Sequence, residues 1–202
     1  MAQATFHFPR GFLWGCATSA HQVEGNNVNN NWWSWEKQPG RIIHEQNSGL
    51  ACDWWNGRWR DDFDRACEGR QNAHRLSIEW SRVQPTPERW DEAAIDRYRE
   101  IVRGLHERNM FPLITLHHFT NPLWVDERGS WENPGIADWF SKYVNKIVEA
   151  LREYCTNWVT INEPNVLISQ AYLSDKFPPG KNSISSALQA MLNLVRGHAS
   201  AY

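Results

Sequence analysis

A parallel α/β fold is predicted by three features of the 202-residue chain. Four short apolar runs alternate with four stretches of helical apolar periodicity, the rhythm of βαβ units joined by right-handed crossovers. Polar residues follow the runs: Thr18 to Gln22, Ser81 and Arg82, His117 and His118, Asn162 and Glu163. No GxGxxG or GxxxxGKS/T loop follows any strand, which weakens the case for a nucleotide-binding open sheet. Periodicity leaves a doubly wound sheet and part of a (βα)8 barrel both standing. Polar groups placed just after the strands suit the barrel, where C-terminal strand ends converge on one site.

The elements follow in order. Phe12 to Thr18 reads as a buried strand, followed by a long Asn-rich loop over Asn26 to Asn31. Trp59, Phe63, Ala66 and Cys67 fall at helical spacing, and Arg75 to Trp80 returns to strand character. Pro85 and Pro87 break the chain, and Asp91 is placed to cap a helix whose stripe is Ile95, Tyr98, Ile101, Val102 and Leu105. Phe111 to Leu116 makes a third strand, with Pro112 near its start, where a missing N–H does least harm. Asn133 as cap and Pro134 at the first helical position then precede the stripe Ile136, Phe140, Tyr143, Val144, Ile147, Val148 and Leu151. Trp158 to Ile161 is the fourth strand, and beyond a Pro-Pro-Gly turn at Pro178 to Gly180 a last stripe comprises Leu188, Met191, Leu192, Val195 and Ala199. A single domain over residues 1–202 is expected, because the 41% hydrophobic content is spread along the whole length.

Composition narrows the partners. Lys and Arg total 21 against 23 Asp and Glu, a net charge of -2 that lacks the basic excess needed at a phosphate backbone, so no nucleic acid is expected. Cys16, Cys52, Cys67 and Cys155 form no CxxC pair and have no zinc-like histidine spacing, which reads as reduced thiols in a cytoplasmic protein without a metal. The first twenty residues lack a basic segment followed by an apolar run, and nothing approaches ~18 consecutive apolar residues. Neither a leader nor a membrane span is expected. The 13 tryptophans suit cores, interfaces and the apolar faces of sugar rings alike.

Thr160-Ile161-Asn162-Glu163-Pro164 places an amide and a carboxylate at the end of an apolar strand. Pro164 disfavours right-handed helical dihedrals at Glu163, so the strand is expected to stay extended to its tip. By itself the segment is equally a strand end with solvated polar residues. Two more segments bear on it: Phe12 to Gly25, containing Thr18-Ser19-Ala20-His21-Gln22-Val23-Glu24-Gly25, and Leu116-His117-His118-Phe119-Thr120-Asn121-Pro122. The bland reading of the two histidines is one in the core and one at the surface. A metal would need further ligands at suitable spacing.

Together with His74-Arg75-Leu76-Ser77-Ile78-Glu79-Trp80-Ser81-Arg82, these segments resemble the family 1 glycoside hydrolases, the β-glucosidase and β-galactosidase family, from about Phe8 to Tyr202. The resemblance implies about four βα units forming the N-terminal half of a TIM (βα)8 barrel that this chain does not close. It implies hydrolysis of O-glycosidic bonds with retention, most directly of β-glucosides, with no cofactor. Glu163 matches the family's general acid/base, and Asn162 the amide that binds the sugar 2-hydroxyl. Gln22 and His118 match the residues that bind the other hydroxyls, and Arg75 the arginine that supports the nucleophilic carboxylate. Trp124 and Trp33 are candidate aromatic walls, with core packing an equal alternative. Cys16, Phe119 and Asp175 depart from residues commoner in the family; none removes a catalytic group, but Phe119 alters a subsite wall.

Retaining hydrolysis needs a second carboxylate roughly 5 Å from the first. The family supplies it from a Thr-Glu-Asn-Gly segment, which this sequence does not contain, and a complete barrel takes roughly 250 residues. The expectation is therefore a domain truncated or split in its fourth helix, holding the acid/base half of the site and inactive alone. A complementary C-terminal half-barrel or self-association would cover its open edges. The alternative is a non-catalytic sugar-binding or assembly half-barrel.

Overall fold

The computed structural model describes residues 7–202; residues 1–6 of the segment read for a leader lie outside it. Four parallel strands form one open sheet in sequence order, β1 (Gly15–Ala17), β2 (Ala73–Ser77), β3 (Phe111–His117) and β4 (Trp158–Ile161). Each connection carries a longer helix on the way to the next strand: α1 (Trp59–Glu68), α2 (Glu92–His106) and α3 (Ile136–Leu151), with α4 (Ile184–Ala201) after β4. This is the α/β architecture of half a (βα)8 barrel, and the barrel is not closed.

The core lies between the sheet and the crossover helices. His74 and Leu76 of β2 are buried there, whereas Ala73 and Arg75, pointing to the other face by the two-residue period, are only half-buried. The stripes of α2 and α3 pack on this sheet as their spacing predicts, with Ile95, Val102, Leu105, Phe140, Tyr143 and Leu151 fully enclosed. Asp91 caps α2, its Oδ1 accepting from the N–H of Ala94 at 3.0 Å. Asn133 accepts from Gly135 N–H at 2.8 Å, and α3 begins at Ile136, two residues later than the position given to Pro134.

Three expectations need correction. β1 is three exposed residues rather than a buried strand over Phe12 to Thr18, and Phe12, Leu13 and Trp14 are also exposed. The cause is topological: β1 is an edge, so its outer side has no neighbouring strand among the described residues. Its inner side is tight, since a Cβ on Gly15 would lie 2.3 Å from the carbonyl oxygen of Ala73.

The apolar stripe expected to pack inward from the last helix forms the outer face of α4. Leu188, Met191, Leu192 and Val195 are exposed, while Ala187, Ala190, Asn193, Leu194 and Gly197 face the body. Small residues seat this helix closely against Trp131 and Phe140, where a Cβ on Gly197 would be 3.2 Å and 3.3 Å away. The larger apolar residues are left outward at the β4 edge, beside a groove formed by Ile161, Pro164, Ile168 and Met191.

Glu163, finally, is not extended. Its φ of 43° and ψ of 60° are left-handed, and Pro164 opens a short helix, Pro164–Leu167, that runs on through a π-helical segment Ile168–Leu173. Proline disfavours right-handed geometry at the residue before it, and here the chain turns sharply at the strand tip instead of continuing.

Candidate active site

The strand ends deliver the site side chains, and backbone hydrogen bonding runs past the strands to hold them. Thr18 N–H donates to Arg75 O at 2.9 Å, Ile78 N–H to Thr115 O at 3.0 Å, and Asn162 N–H to His117 O at 2.9 Å. Beyond β1 the chain enters a one-turn helix, Ala20–Val23, whose first N–H donates to Ser77 Oγ of β2 at 2.7 Å. That bond anchors the turn bearing Gln22, which is exposed.

The tandem histidines separate by role. His117 is buried, its Nε2 3.0 Å from Asn121 Oδ1 and its ring edge-on to Trp131. His118 is half-buried, with Nε2 3.4 Å from the side-chain amide of Asn162. Burial, and then the charge of Arg75, lower its pKa to about 4, so the ring is neutral at pH 7. With Asn162 donating to Nε2, the proton sits on Nδ1, a buried atom that has no partner among the described residues. That N–H is enclosed by the protein rather than open to solvent.

Gln22 and His118 line a single cleft with Ser19, His21, Trp32, Phe119, Thr120 and Phe177. Phe119, at φ 70°, lies edge-on to His118, and Phe177 packs against both Phe119 and Trp32. Polar groups and an aromatic wall therefore share one concavity, the arrangement that grips a sugar by its hydroxyls and its apolar ring face. Asn162 is buried behind His118, and Glu163 follows it directly, exposed, with no side-chain hydrogen bond or ion pair to a described residue.

Arg75 is half-buried on β2; it has no carboxylate partner among the described residues, and its Nε is buried without an acceptor. Both tryptophans singled out in the sequence lie away from the cleft. Trp124 is buried, its indole N–H donating to Gln84 O at 3.0 Å and its ring packed on Trp80 and Trp139. Trp33 carries Lys37 over its ring. Trp32 lines the cleft instead, one residue earlier in the helix Asn31–Glu36 and so about 100° around its axis. Phe177 was not legible as a cleft residue, since only tertiary folding brings the segment after β4 over the loop after β3. Among the described residues no group of three or more His, Cys, Asp or Glu could hold a metal ion, and no helix is long and apolar enough to cross a membrane.

Comparison with known proteins accords with this geometry. Beta-glucosidase A of Thermotoga maritima is 34% identical over 200 residues, covering 96% of this chain and 45% of that protein. Human cytosolic beta-glucosidase is 32% identical over 201 residues, covering 95% and 43%. Among solved structures, a beta-glycosidase from Pyrococcus horikoshii superposes with a TM-score of 0.89 at 39% identity, covering 96% of this chain and 45% of that one. The Thermotoga maritima beta-glucosidase in complex with methoxycarbonyl-substituted glucoimidazole gives a TM-score of 0.93 at 34% identity, with 96% and 46% covered. The chain thus spans somewhat less than half the length of these relatives. Residues 4–202 match the family described as Glycosyl hydrolase family 1, and the chain belongs to that family.

Proposed function

We propose that this chain forms the acid/base side of a retaining β-glycosidase site, with β-glucosides as the substrate class. The observation that carries the reading is the contact of Asn162 with His118, immediately before Glu163 at the end of β4, beside a cleft that also contains Gln22. Glu163 donates a proton to the glycosidic oxygen as the bond breaks, then takes one from the water that releases the sugar. Its lack of an internal partner suits a group that must reach a substrate oxygen. Asn162 holds the 2-hydroxyl, a contact that strengthens as the ring approaches an oxocarbenium ion. The Gln22 amide and the His118 ring hold other hydroxyls, and the aromatic wall is Trp32, Phe119 and Phe177 rather than Trp124 or Trp33. The relatives named for β-glucosidase activity support the choice of glucoside.

The second catalytic carboxylate comes from outside these 202 residues. Arg75, a half-buried cation without a carboxylate partner among the described residues, is the support for that nucleophile. A complementary C-terminal half-barrel, or failing that self-association, covers the β1 and β4 edges and the apolar face of α4; residues 1–202 constitute one partial domain, working in the cytoplasm. The purified chain, incubated with an aryl β-glucoside, is expected to give no turnover. Turnover that disappears in Glu163→Gln overturns the half-site assignment.

A second reading, a sugar-binding half-barrel without catalysis, is favoured by the presence of polar and aromatic groups together in the cleft around Gln22 and His118. Binding of a gluco-configured inhibitor by the chain alone, lost in Gln22→Ala and accompanied by no hydrolysis after the barrel is completed, selects it.

A further inference from the structure

Behind the cleft, two carboxylates are buried close together, and one of them is paired with a guanidinium. Glu24 ends the short helix that carries Gln22 and is 2% exposed; Glu79, following β2, is fully enclosed. Arg82 Nε donates to Glu24 Oε2 at 2.8 Å. The Tyr98 hydroxyl, from α2, donates to Glu24 Oε1 at 2.5 Å and accepts from the N–H of Glu79 at 2.9 Å. The Asn27 amide bridges the two acids, 3.0 Å from Glu24 Oε2 and 3.4 Å from Glu79 Oε2. Glu79 accepts in addition from Ser81 Oγ at 2.7 Å and from Thr120 Oγ1 at 3.0 Å. Thr120 is itself a wall of the cleft, two residues beyond His118.

We propose that Glu79 is a positioning residue for the sugar cleft, tying the His118 loop through Thr120 to the Gln22 turn through Asn27 and Glu24, so that both sugar-binding groups are held in register. The proposal rests on the reading of Gln22 and His118 given above. Gln22 and His118 do not join the loops themselves: His118 contacts Asn162, and Gln22 shares no hydrogen bond with it. The loops are joined directly through Asn31 and Asn121, each backbone N–H donating to the other residue at 3.0 Å. Glu79 adds a second tie, its carboxylate accepting from Asn27, from Thr120 and from both the N–H and the hydroxyl of Ser81. A buried polar network of this kind stiffens the loops it joins.

The same network makes that grip depend on pH. Facing Glu79 are Glu24 from the turn after β1, Arg82 from the turn after β2, Tyr98 from α2 and Tyr143 from α3, so the one fixed positive charge must serve two acids. Burial first, then repulsion from Glu24, push the Glu79 carboxyl up to about 7. Below that pH Glu79 is neutral and Arg82 balances Glu24; above it a second buried negative charge appears. Because the folded value lies above the unfolded one, the contribution to stability is full below the unfolded pKa and is lost as pH rises through about 7. The loops loosen on the alkaline side.

Amide NMR of the chain, recorded from about pH 5.5 to about pH 8.5, tests the linkage. The backbone amides of Asn27, His118, Phe119 and Thr120 and the side-chain amide of Gln22 are expected to move with one common midpoint near 7. Glu79→Gln should remove that midpoint and leave the signals at their acidic positions. Thr120→Val should silence the response of His118 and Phe119 while Asn27 and Gln22 keep theirs, a division that an undirected packing role would not produce. The absence of a common midpoint, or its persistence in Glu79→Gln, overturns the proposal. If Glu79→Gln does not fold, the division in Thr120→Val decides, and a uniform response there overturns it equally. No sugar enters the measurement, so its failure leaves the sugar-binding reading standing. A chain that shows the linkage but binds no gluco-configured inhibitor at Gln22 keeps the linkage and loses that reading.

Discussion

Replacing Arg82 by methionine isolates the cost of an unbalanced charge in this molecule. The side chain is 15% exposed and has three attachments: Nε to Glu24, itself 2% exposed, Nη2 to Gly25 O, and the guanidinium stacked 3.9 Å from the centre of Trp55. Methionine keeps most of the apolar stem over Trp55 and removes the charge. At pH 8 Glu24 is left ionised, enclosed and without a cation, a situation that costs about 3–5 kcal/mol. That is a large fraction of the roughly 5–15 kcal/mol stability of an ordinary domain. At pH 5 the penalty is smaller, because burial already raises the Glu24 carboxyl and the loss of Arg82, which opposes that rise, lets Glu24 take up a proton. Only the hydrogen bonds and the stacking are then missing, about 1–2 kcal/mol. The sign is fixed by linkage: the substitution lifts the folded pKa further above the unfolded one, so the variant loses stability relative to the parent as pH rises. Urea unfolding of both proteins at pH 5 and pH 8 measures the gap, which should widen by about 2 kcal/mol between the two. An equal gap at both pH values, or a smaller one at pH 8, refutes the charge-balance reasoning.

Gly104→Ala tests the contact of α1 with α2. Helix propensity alone favours the alanine by about 1 kcal/mol, but its Cβ would lie 2.2 Å from Cζ3 of the buried Trp59. Overpacking should win, leaving the variant about 1–3 kcal/mol less stable; a raised melting temperature contradicts this. Asp91→Ala should cost about 1 kcal/mol by removing the cap on Ala94 N–H, with Asp91→Asn close to neutral. Equal losses in the two variants would show that the cap bond is not what matters there.

The sequence and the structure agree most closely where local signals and tertiary packing coincide. The α2 and α3 stripes follow from residue spacing, since each buries a continuous apolar face, and the Asp91 cap and the extent of β4 follow from local residue types. The stripe on α4 misled because hydrophobicity ranks Leu188, Met191 and Val195 above the small residues. Close approach to Trp131 and Phe140 selects Ala190, Asn193 and Gly197 for the inner face. The same limit applies at β1, whose apolar run predicts burial that an edge strand does not receive. Within the site, the preference imposed by Pro164 correctly excluded a right-handed Glu163 but did not distinguish extended from left-handed geometry. The tryptophans were hardest to place. Their chemistry is the same in a core and beside a sugar, and one position around a helix separates Trp32 in the cleft from Trp33 outside it. The carboxylate network had no local signature at all, because Glu24, Glu79 and Thr120 meet only after three strands have been placed side by side.

The central claim is that Glu163 is the acid/base of a site whose nucleophile lies outside these residues. Its most direct test is aryl β-glucoside hydrolysis, measured for the chain alone and for the chain fused to the C-terminal half of Thermotoga maritima beta-glucosidase A. Turnover only in the fusion, with retained anomeric configuration and a loss of about 100-fold or more in Glu163→Gln, is the predicted result. Hydrolysis by the chain alone, or a fusion whose activity is unchanged by Glu163→Gln, contradicts it.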